Sequence, residues 1–262
     1  MTTSQADDHR ALYDGLYREG YRKGLGPLDR ARLDALRHFI VRVVQPRSQS
    51  RVLDYGCGPG INVGLWNDIF AGSELYSCDI SAVAIDELEH RFPGSGDRTA
   101  VIAGDRAPWP DAFFDTVVSV EVMEHVADLK AYLADIRRLL VPGGVFVWTT
   151  PSANVLSIEH VYAALTGNIE PTGEGYRRWR FEDPTHMRRL KTAEIRRILA
   201  DMGFDAIRFR HRAHLFSFLC SRILPGRLAR LGRWLMPLDY TFFRRLPNGA
   251  SMIGMARRTS SS

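Results

Sequence analysis

The residues with the clearest chemistry read Asp54-x-Gly56-x-Gly58-x-Gly60, directly after the apolar pair Val52-Leu53. This order predicts a buried strand ending on an acid, then a glycine-dense turn, then a helix start. Glycine lacks a Cβ and accepts positive φ, so backbone in such a turn can come close to a ligand. The helix that follows offers unpaired N–H groups and the positive end of its dipole. The expected product is a small nucleotide-like pocket at the carboxyl end of a strand. Spacing narrows the ligand. A dinucleotide pattern, G-x-G-x-x-G, needs its third glycine at 61 or 63, where Ile61 and Val63 stand, so NAD and FAD are disfavoured. No Gly-Lys-Ser/Thr follows, which excludes a Walker phosphate loop. Asp79 lies 25 positions after Asp54, at the expected end of the next strand, where a carboxylate can accept from both ribose hydroxyls. Gly104-Asp105-Arg106 closes a third predicted strand.

The acid-plus-three-glycine spacing closely resembles the first motif of the class I S-adenosylmethionine-dependent methyltransferases. The later run Gly104-Asp105 … Pro-Trp-Pro-Asp-Ala-Phe-Phe-Asp115 is similar to the small-molecule branch of that family. Ser119-Val-Glu121-Val-Met-Glu124-His125-Val resembles the methyltransferases of quinone biosynthesis. The resemblance spans roughly residues 50–205, strongly in the first half. It implies S-adenosylmethionine as cofactor. Gly56, Gly58 and Gly60 would lie against its methionine part, with Asp54 helping to orient it. Asp79 would take the ribose, Asp105 with Arg106 the adenine edge, and Glu121 would line the pocket. The implied reaction is in-line methyl transfer to a small or lipid-like acceptor, with O-methylation preferred over N- or C-methylation. A protein that binds the cofactor without transferring methyl is the alternative of a different class.

Two histidines are candidates for catalysis. His186 lies in a loop rich in cations and aromatics, Arg177 to Arg189, ahead of a predicted helix, and is the first choice for a general base. His125 is the second, with packing or capping as its plainer reading. No His/Asp/Glu group shows metal-ligand spacing, so no metal is expected. The Asn/Asp-Pro-Pro-Tyr motif of amino-methylating nucleic-acid enzymes is absent, as is a Pro-Cys pair, and nucleic acid is disfavoured as a partner.

The elements that must hold these residues alternate. Strands are expected near 51–54, 74–78, 99–103, 115–120 and 145–149, with helices near 61–70, 82–91 and 129–140, the last stopped by Pro142-Gly143-Gly144. Beyond them come a helix at 192–202 and strands at 207–210 and 251–256. The pattern predicts an α/β fold: a doubly wound, mostly parallel seven-stranded sheet of Rossmann-like methyltransferase type. Tyr13, Tyr17 and Tyr21 share one face of an N-terminal helix, expected to cap the cofactor. The expected organisation is cap helices over 1–46, the core over 47–210, a basic helical insertion over 211–250, and a last strand with its tail over 251–262.

Composition bounds the rest. The chain has 262 residues, 45% hydrophobic and 25% charged, enough for one globular domain with additions. Its 3 cysteines form no C-x-x-C pair, which suits a reducing compartment. The polar, acidic N-terminal stretch is no signal peptide, so a cytoplasmic location is expected. The formal charge of +5 conceals an asymmetry: residues 208–258 hold 11 arginines, no lysine and one acid, Asp239. Within 211–250, Arg227, Arg230 and Arg233 alternate with Leu228, Leu231, Trp234 and Leu235, which predicts a basic amphipathic helix. Its readings are a lid or homodimer surface, a contact with anionic lipid at the inner membrane face, and, least favoured because base-targeting motifs are missing, nucleic-acid binding.

Overall fold

The computed structural model describes residues 3–21, 26–154, 157–171, 177–180, 183–220 and 229–260. Five strands run in parallel order at the centre of the chain: β1 (Arg51–Tyr55), β2 (Glu74–Asp79), β3 (Thr99–Val101), β4 (Phe114–Val120) and β5 (Leu140–Pro151). A short ribbon, β6 (Ile169–Pro171) with β7 (Arg177–Trp179), stands apart. Two late strands, β8 (Phe204–Arg212) and β9 (Ser251–Arg258), complete a seven-stranded sheet in the order β3-β2-β1-β4-β5-β9-β8. Only β9 runs antiparallel to its neighbours. The expected doubly wound, mostly parallel sheet is therefore present.

The strand residues explain why both faces are covered. Leu53, Tyr55, Val117, Phe146, Trp148 and Met252 point to one face, into a core with Leu133, Ile136, Ile195 and Leu199. Those four come from α5 (Leu129–Leu139) and α7 (Thr192–Asp201). The alternate residues Val52, Val118, Val145, Val147 and Ile253 point to the other face. There they meet Leu36 and Phe39 of α2 (Pro27–Phe39) and Trp66 of α3 (Val63–Ile69). Burial on both faces is why β4 carries Phe114, Val117, Val118 and Val120 without a strict apolar–polar alternation.

Near the site, α1 (Thr3–Arg18) packs Tyr13 and Tyr17 against Ala84 of α4 (Ala82–Arg91). Ser81 caps α4 by accepting from Ala84 N at 3.2 Å, and its hydroxyl donates to Asp14 of α1 at 2.5 Å. Short helices α6 (Ile158–Leu165) and α8 (Leu215–Phe218) and the longer α9 (Ala229–Phe243) fill the late connections.

Several expected boundaries shift. Helix α1 ends at Arg18, and Gly20 at φ +93° turns the chain so that Tyr21 follows outside the helix. Strand β5 begins at Leu140 with Pro142, Gly143 and Gly144 inside it, where its ladder to β4 slips register. Strand β8 reaches Arg212, so two residues expected in the insertion belong to the sheet. The helix predicted around Arg227 and Leu228 is seen from Ala229; those two residues lie outside the described set.

Candidate active site

In the strand order, β1 lies between β2 and β4, so the connections from β1 and from β4 leave in opposite directions and open a crevice at the carboxyl ends. A cavity fills it, with about 180 Å³ open to the centre of a water molecule. Its floor is the turn after β1. Gly56, Gly58 and Gly60 have φ of +78°, +53° and +73°, a backbone region that favours glycine. Space is short there too: a Cβ on Gly56 would fall 2.4 Å from Val122 Cγ2, and one on Gly58 3.0 Å from the Tyr17 hydroxyl. Gly56 N and Cys57 N both donate to Cys78 O, at 2.7 and 3.0 Å, which pins the turn to the end of β2.

Asp79 follows at that strand end and lines the cavity. Its carboxylate accepts from Gly58 N at 2.9 Å and from Ser81 N at 3.0 Å. Each oxygen keeps a lone pair beyond those two bonds, enough for a diol. Burial pushes its pKa up, against the pull of these amides. Asp105 stands exposed at the rim of the same cavity. Arg106 is not in the wall; it pairs with Asp111 at 3.4 Å. Asp54 lies beneath the floor, outside the wall, and accepts from Trp66 Nε1 at 2.7 Å. Burial raises its pKa to about 7 despite that bond, with Asp79 adding in the same direction. Asp54 therefore acts on the cavity through the turn and α3.

The opposite wall comes from the cap and from the segment after β4. Tyr13, Tyr17 and Tyr21 all line it, together with His9 and Arg10 of the same helix. Glu121 begins the segment at φ +54°, a conformation costly for a residue with a side chain and concentrated at functional sites. Its carboxylate accepts from Thr149 Oγ1 at 2.8 Å and meets Arg32 of α2 at 3.3 Å. His125 lines the cavity and is 7% exposed. Thr185 Oγ1 donates to Asp183 at 2.6 Å and lies 3.0 Å from His125 Nδ1, so Nδ1–H is the donor of that pair and Nε2 is the accepting nitrogen. Burial alone pushes the Asp183 carboxyl up, but its bonds from Thr185 and Tyr21 outweigh that and hold it at about 2.

His186 stands behind His125, ring centroids 4.7 Å apart, rather than in the wall. Glu124 is buried beside them, accepting from Thr150 Oγ1 at 3.0 Å. Its pKa is raised by burial and by Glu121, against the pull of His186. One donor atom from each of Glu124, His125 and His186 lies within 4.8 Å of the others, a set able to ligate a divalent cation. Sequence spacing hid it because His186 arrives from a loop 61 positions after His125. Arg32 was also missed; its signal is a charged residue on the otherwise apolar side of α2. His9 could have been added to the tyrosine stripe, since it precedes Tyr13 by one helical turn.

A model of the methyltransferase domain family matches residues 28–208. The chain belongs to that family. A Mycolicibacterium smegmatis protein named as a probable S-adenosylmethionine-dependent methyltransferase is 29% identical over 171 residues, covering 64% of this chain and 58% of that one. A ubiquinone biosynthesis O-methyltransferase of Maricaulis maris is 31% identical over 122 residues, 43% of this chain and 45% of the relative. The chain thus spans 58% of the first relative and less than half of the second. Among solved structures, a SAM-dependent methyltransferase from Archaeoglobus fulgidus aligns with a TM-score of 0.55 at 18% identity, covering 86% of this chain and 94% of that one. The [4+2]-cyclase SpnF aligns at 0.57 and 18%, covering 88% and 82%. The likeness to these two is one of fold.

Proposed function

We propose that this methyltransferase-family chain uses S-adenosylmethionine to methylate a hydroxyl oxygen on a small or lipid-like metabolite. The observation that carries the reading is one cavity with a backbone-made nucleotide floor on one side and His125 on the other. The floor fits the cofactor: the glycine turn leaves room where a Cβ would intrude, and Asp79 and Asp105 are the acids for ribose and adenine. The cofactor supplies an activated methyl group for in-line displacement. The chain supplies alignment and exclusion of water. The cap tyrosines close the cavity from solvent, and the Thr185–Asp183 pair orients the ring of His125. With Nδ1–H committed to Thr185, Nε2, which lies 4.0 Å from Glu124 Oε1, would be the nitrogen that takes the acceptor proton. In this reading His186 positions His125 by ring packing rather than acting as the base.

The donor set Glu124, His125 and His186 favours a second reading of the same step, in which a divalent cation lowers the acceptor hydroxyl's pKa. Purified protein incubated with methyl-labelled cofactor and a panel of phenols and hydroxylated lipids tests both. A labelled ether supports oxygen transfer; a rate lost with chelator and restored by metal selects the cation. Label found only on carbon or nitrogen removes the oxygen assignment.

The late helical segment fits contact with an anionic lipid surface. Trp234 and Phe242 of α9 are 78% and 69% exposed. Asp239, the one acid of the 208–258 stretch, is buried and accepts from Phe216 N and Ser217 N, so it puts no negative charge on that surface. Among the described residues no helix is long and apolar enough to cross a membrane.

A further inference from the structure

Arg212 ends β8 and is 8% exposed, and its Nε has no acceptor. Among the described residues it has no hydrogen-bond partner for its guanidinium and no carboxylate within ion-pair distance. The sheet register fixes where it stands. Arg212 lies opposite Ser251 of β9, and Ser251 lies opposite Pro151 of β5. Directly opposed residues share a sheet face. The preceding row on that face is Arg210, Ile253 and Thr149, and Thr149 holds Glu121. Arg212 therefore stands at the carboxyl rim on the face covered by α2, behind the Asp29, Arg32 and Glu121 side of the cavity and outside its lining.

The carboxylates around it are already engaged. Asp29 is held by Arg32 at 2.8 Å, Glu121 by Thr149 and Arg32, and Glu159 by Arg189 at 3.8 Å. Burial, then the like charge of Arg32, pulls the Arg212 pKa down to about 10 against the opposite charges of Glu121, Asp29 and Glu159, which leaves it a cation at neutral pH. A buried cation lacking a close partner is strongly destabilising, and an apolar residue of similar volume avoids that cost. The position is therefore expensive for stability and calls for a bound anion.

We propose that Arg212 anchors an oxyanion subsite, on which a carboxylate or phosphate group of the methyl acceptor docks. The planar guanidinium presents parallel N–H groups that match either oxyanion in bidentate fashion. This deepens the methyl-transfer reading and rests on it: the anion fixes one end of the acceptor at the β8 rim while the nucleophile faces the cavity.

The test uses the full chain saturated with S-adenosylhomocysteine, titrated with sodium phosphate and separately with sodium benzoate. Sodium chloride at matched ionic strength is the control. Melting temperature and the arginine Nε–H resonance lost in Arg212→Lys are read. One of the two oxyanions is expected to saturate the resonance shift and to raise Tm by about 3–5 °C at ten times its dissociation constant. Response to benzoate alone assigns a carboxylate, and to phosphate alone a phosphate. Arg212→Met should abolish the response, melt higher than the parent without anion, and keep S-adenosylhomocysteine affinity within about threefold. If Arg212→Met does not fold, Arg212→Lys, which keeps the charge without the fork, should weaken the anion response about fivefold or more. Responses equal to chloride overturn the subsite. So does loss of about tenfold or more in S-adenosylhomocysteine affinity in both variants, which assigns the guanidinium to the cofactor. Failure of the parent to bind S-adenosylhomocysteine sinks the methyl-transfer reading instead, and the anion titration run without it still reports on Arg212.

Discussion

The two ends of the cavity are built from different material. At the proposed cofactor end the surface is made by backbone: three glycines at positive φ, two amides fixed on Cys78 O, and Asp79 receiving two more amides. At the proposed acceptor end it is made by side chains from separate segments, with His9 and Tyr13 on α1, Arg32 on α2, and Glu121 and His125 after β4, the last backed by Thr185 and His186 from a late loop. A backbone-made surface tolerates few residue types at fixed spacing. A side-chain-made surface can change its chemistry without disturbing the fold. Relatives named for C-methylation and for O-methylation both match this chain, as a shared first end and a divergent second end would allow.

The sharpest way to separate the two ends is to damage one and measure the other. His125→Ala should lower kcat by about 100- to 10,000-fold, the usual worth of a general base, with S-adenosylhomocysteine affinity unchanged in calorimetry. A matching loss of affinity would move His125 to the cofactor end and erase the division. Asp79→Ala removes the acceptor for Gly58 N and Ser81 N and the carboxylate offered to the ribose. Its cofactor affinity should fall about 100-fold, two such interactions at roughly 1.4 kcal/mol each, with acceptor affinity little altered. Gly56→Ala, which sets a Cβ against Val122, should cost about 10- to 100-fold in the same titration through backbone strain.

A smaller effect sharpens the role of Asp54. Its folded pKa of about 7 lies above the ordinary carboxylate value, so the folded state binds more protons than the unfolded chain between about pH 4 and 7. The contribution of this acid to stability is best at the low end of that window and is lost as pH rises through 7. Asp54→Asn, which keeps an acceptor for Trp66, should therefore gain Tm relative to the parent at pH 8 and show little difference at pH 4. An equal difference at both values would mean the carboxyl is ionised throughout. The least effect is expected from Trp234→Ala with Phe242→Ala: a severalfold loss of co-sedimentation with anionic liposomes and no change in turnover of a soluble acceptor. Equal sedimentation of parent and variant at low salt would remove the lipid contact.

What was legible in the sequence follows the same division. The glycine turn, Asp79 and the tyrosine stripe could be placed because local spacing and period express them. The alternation of strand and helix from 51 to 150 was legible because short apolar runs such as Val52-Leu53, Val117-Val118 and Val145-Phe146-Val147-Trp148 are separated by turn residues and helix-period segments. The reading faltered where tertiary contact decides. Arg106 adjoins Asp105 in sequence yet turns to Asp111. Asp54, one residue before the end of β1, lies below the cavity rather than in it, and its partner Trp66 stands on α3. The neighbourhood of Glu124, His125 and His186, and the isolation of Arg212, arise from loops and strand register that no local pattern carries. Pro142 and the two glycines suggested a stop to the helix, which ends at Leu139; the three residues then lie in the register slip between the Leu140 and Val145 pairs with β4.

Isothermal titration of the purified chain with S-adenosylhomocysteine tests the central claim most directly, because it examines the backbone-made end without needing the acceptor. The account predicts saturable binding at one site per chain in the parent, and binding weakened about 100-fold in Asp79→Ala. No heat in the folded parent, or the same isotherm in both proteins, would contradict it.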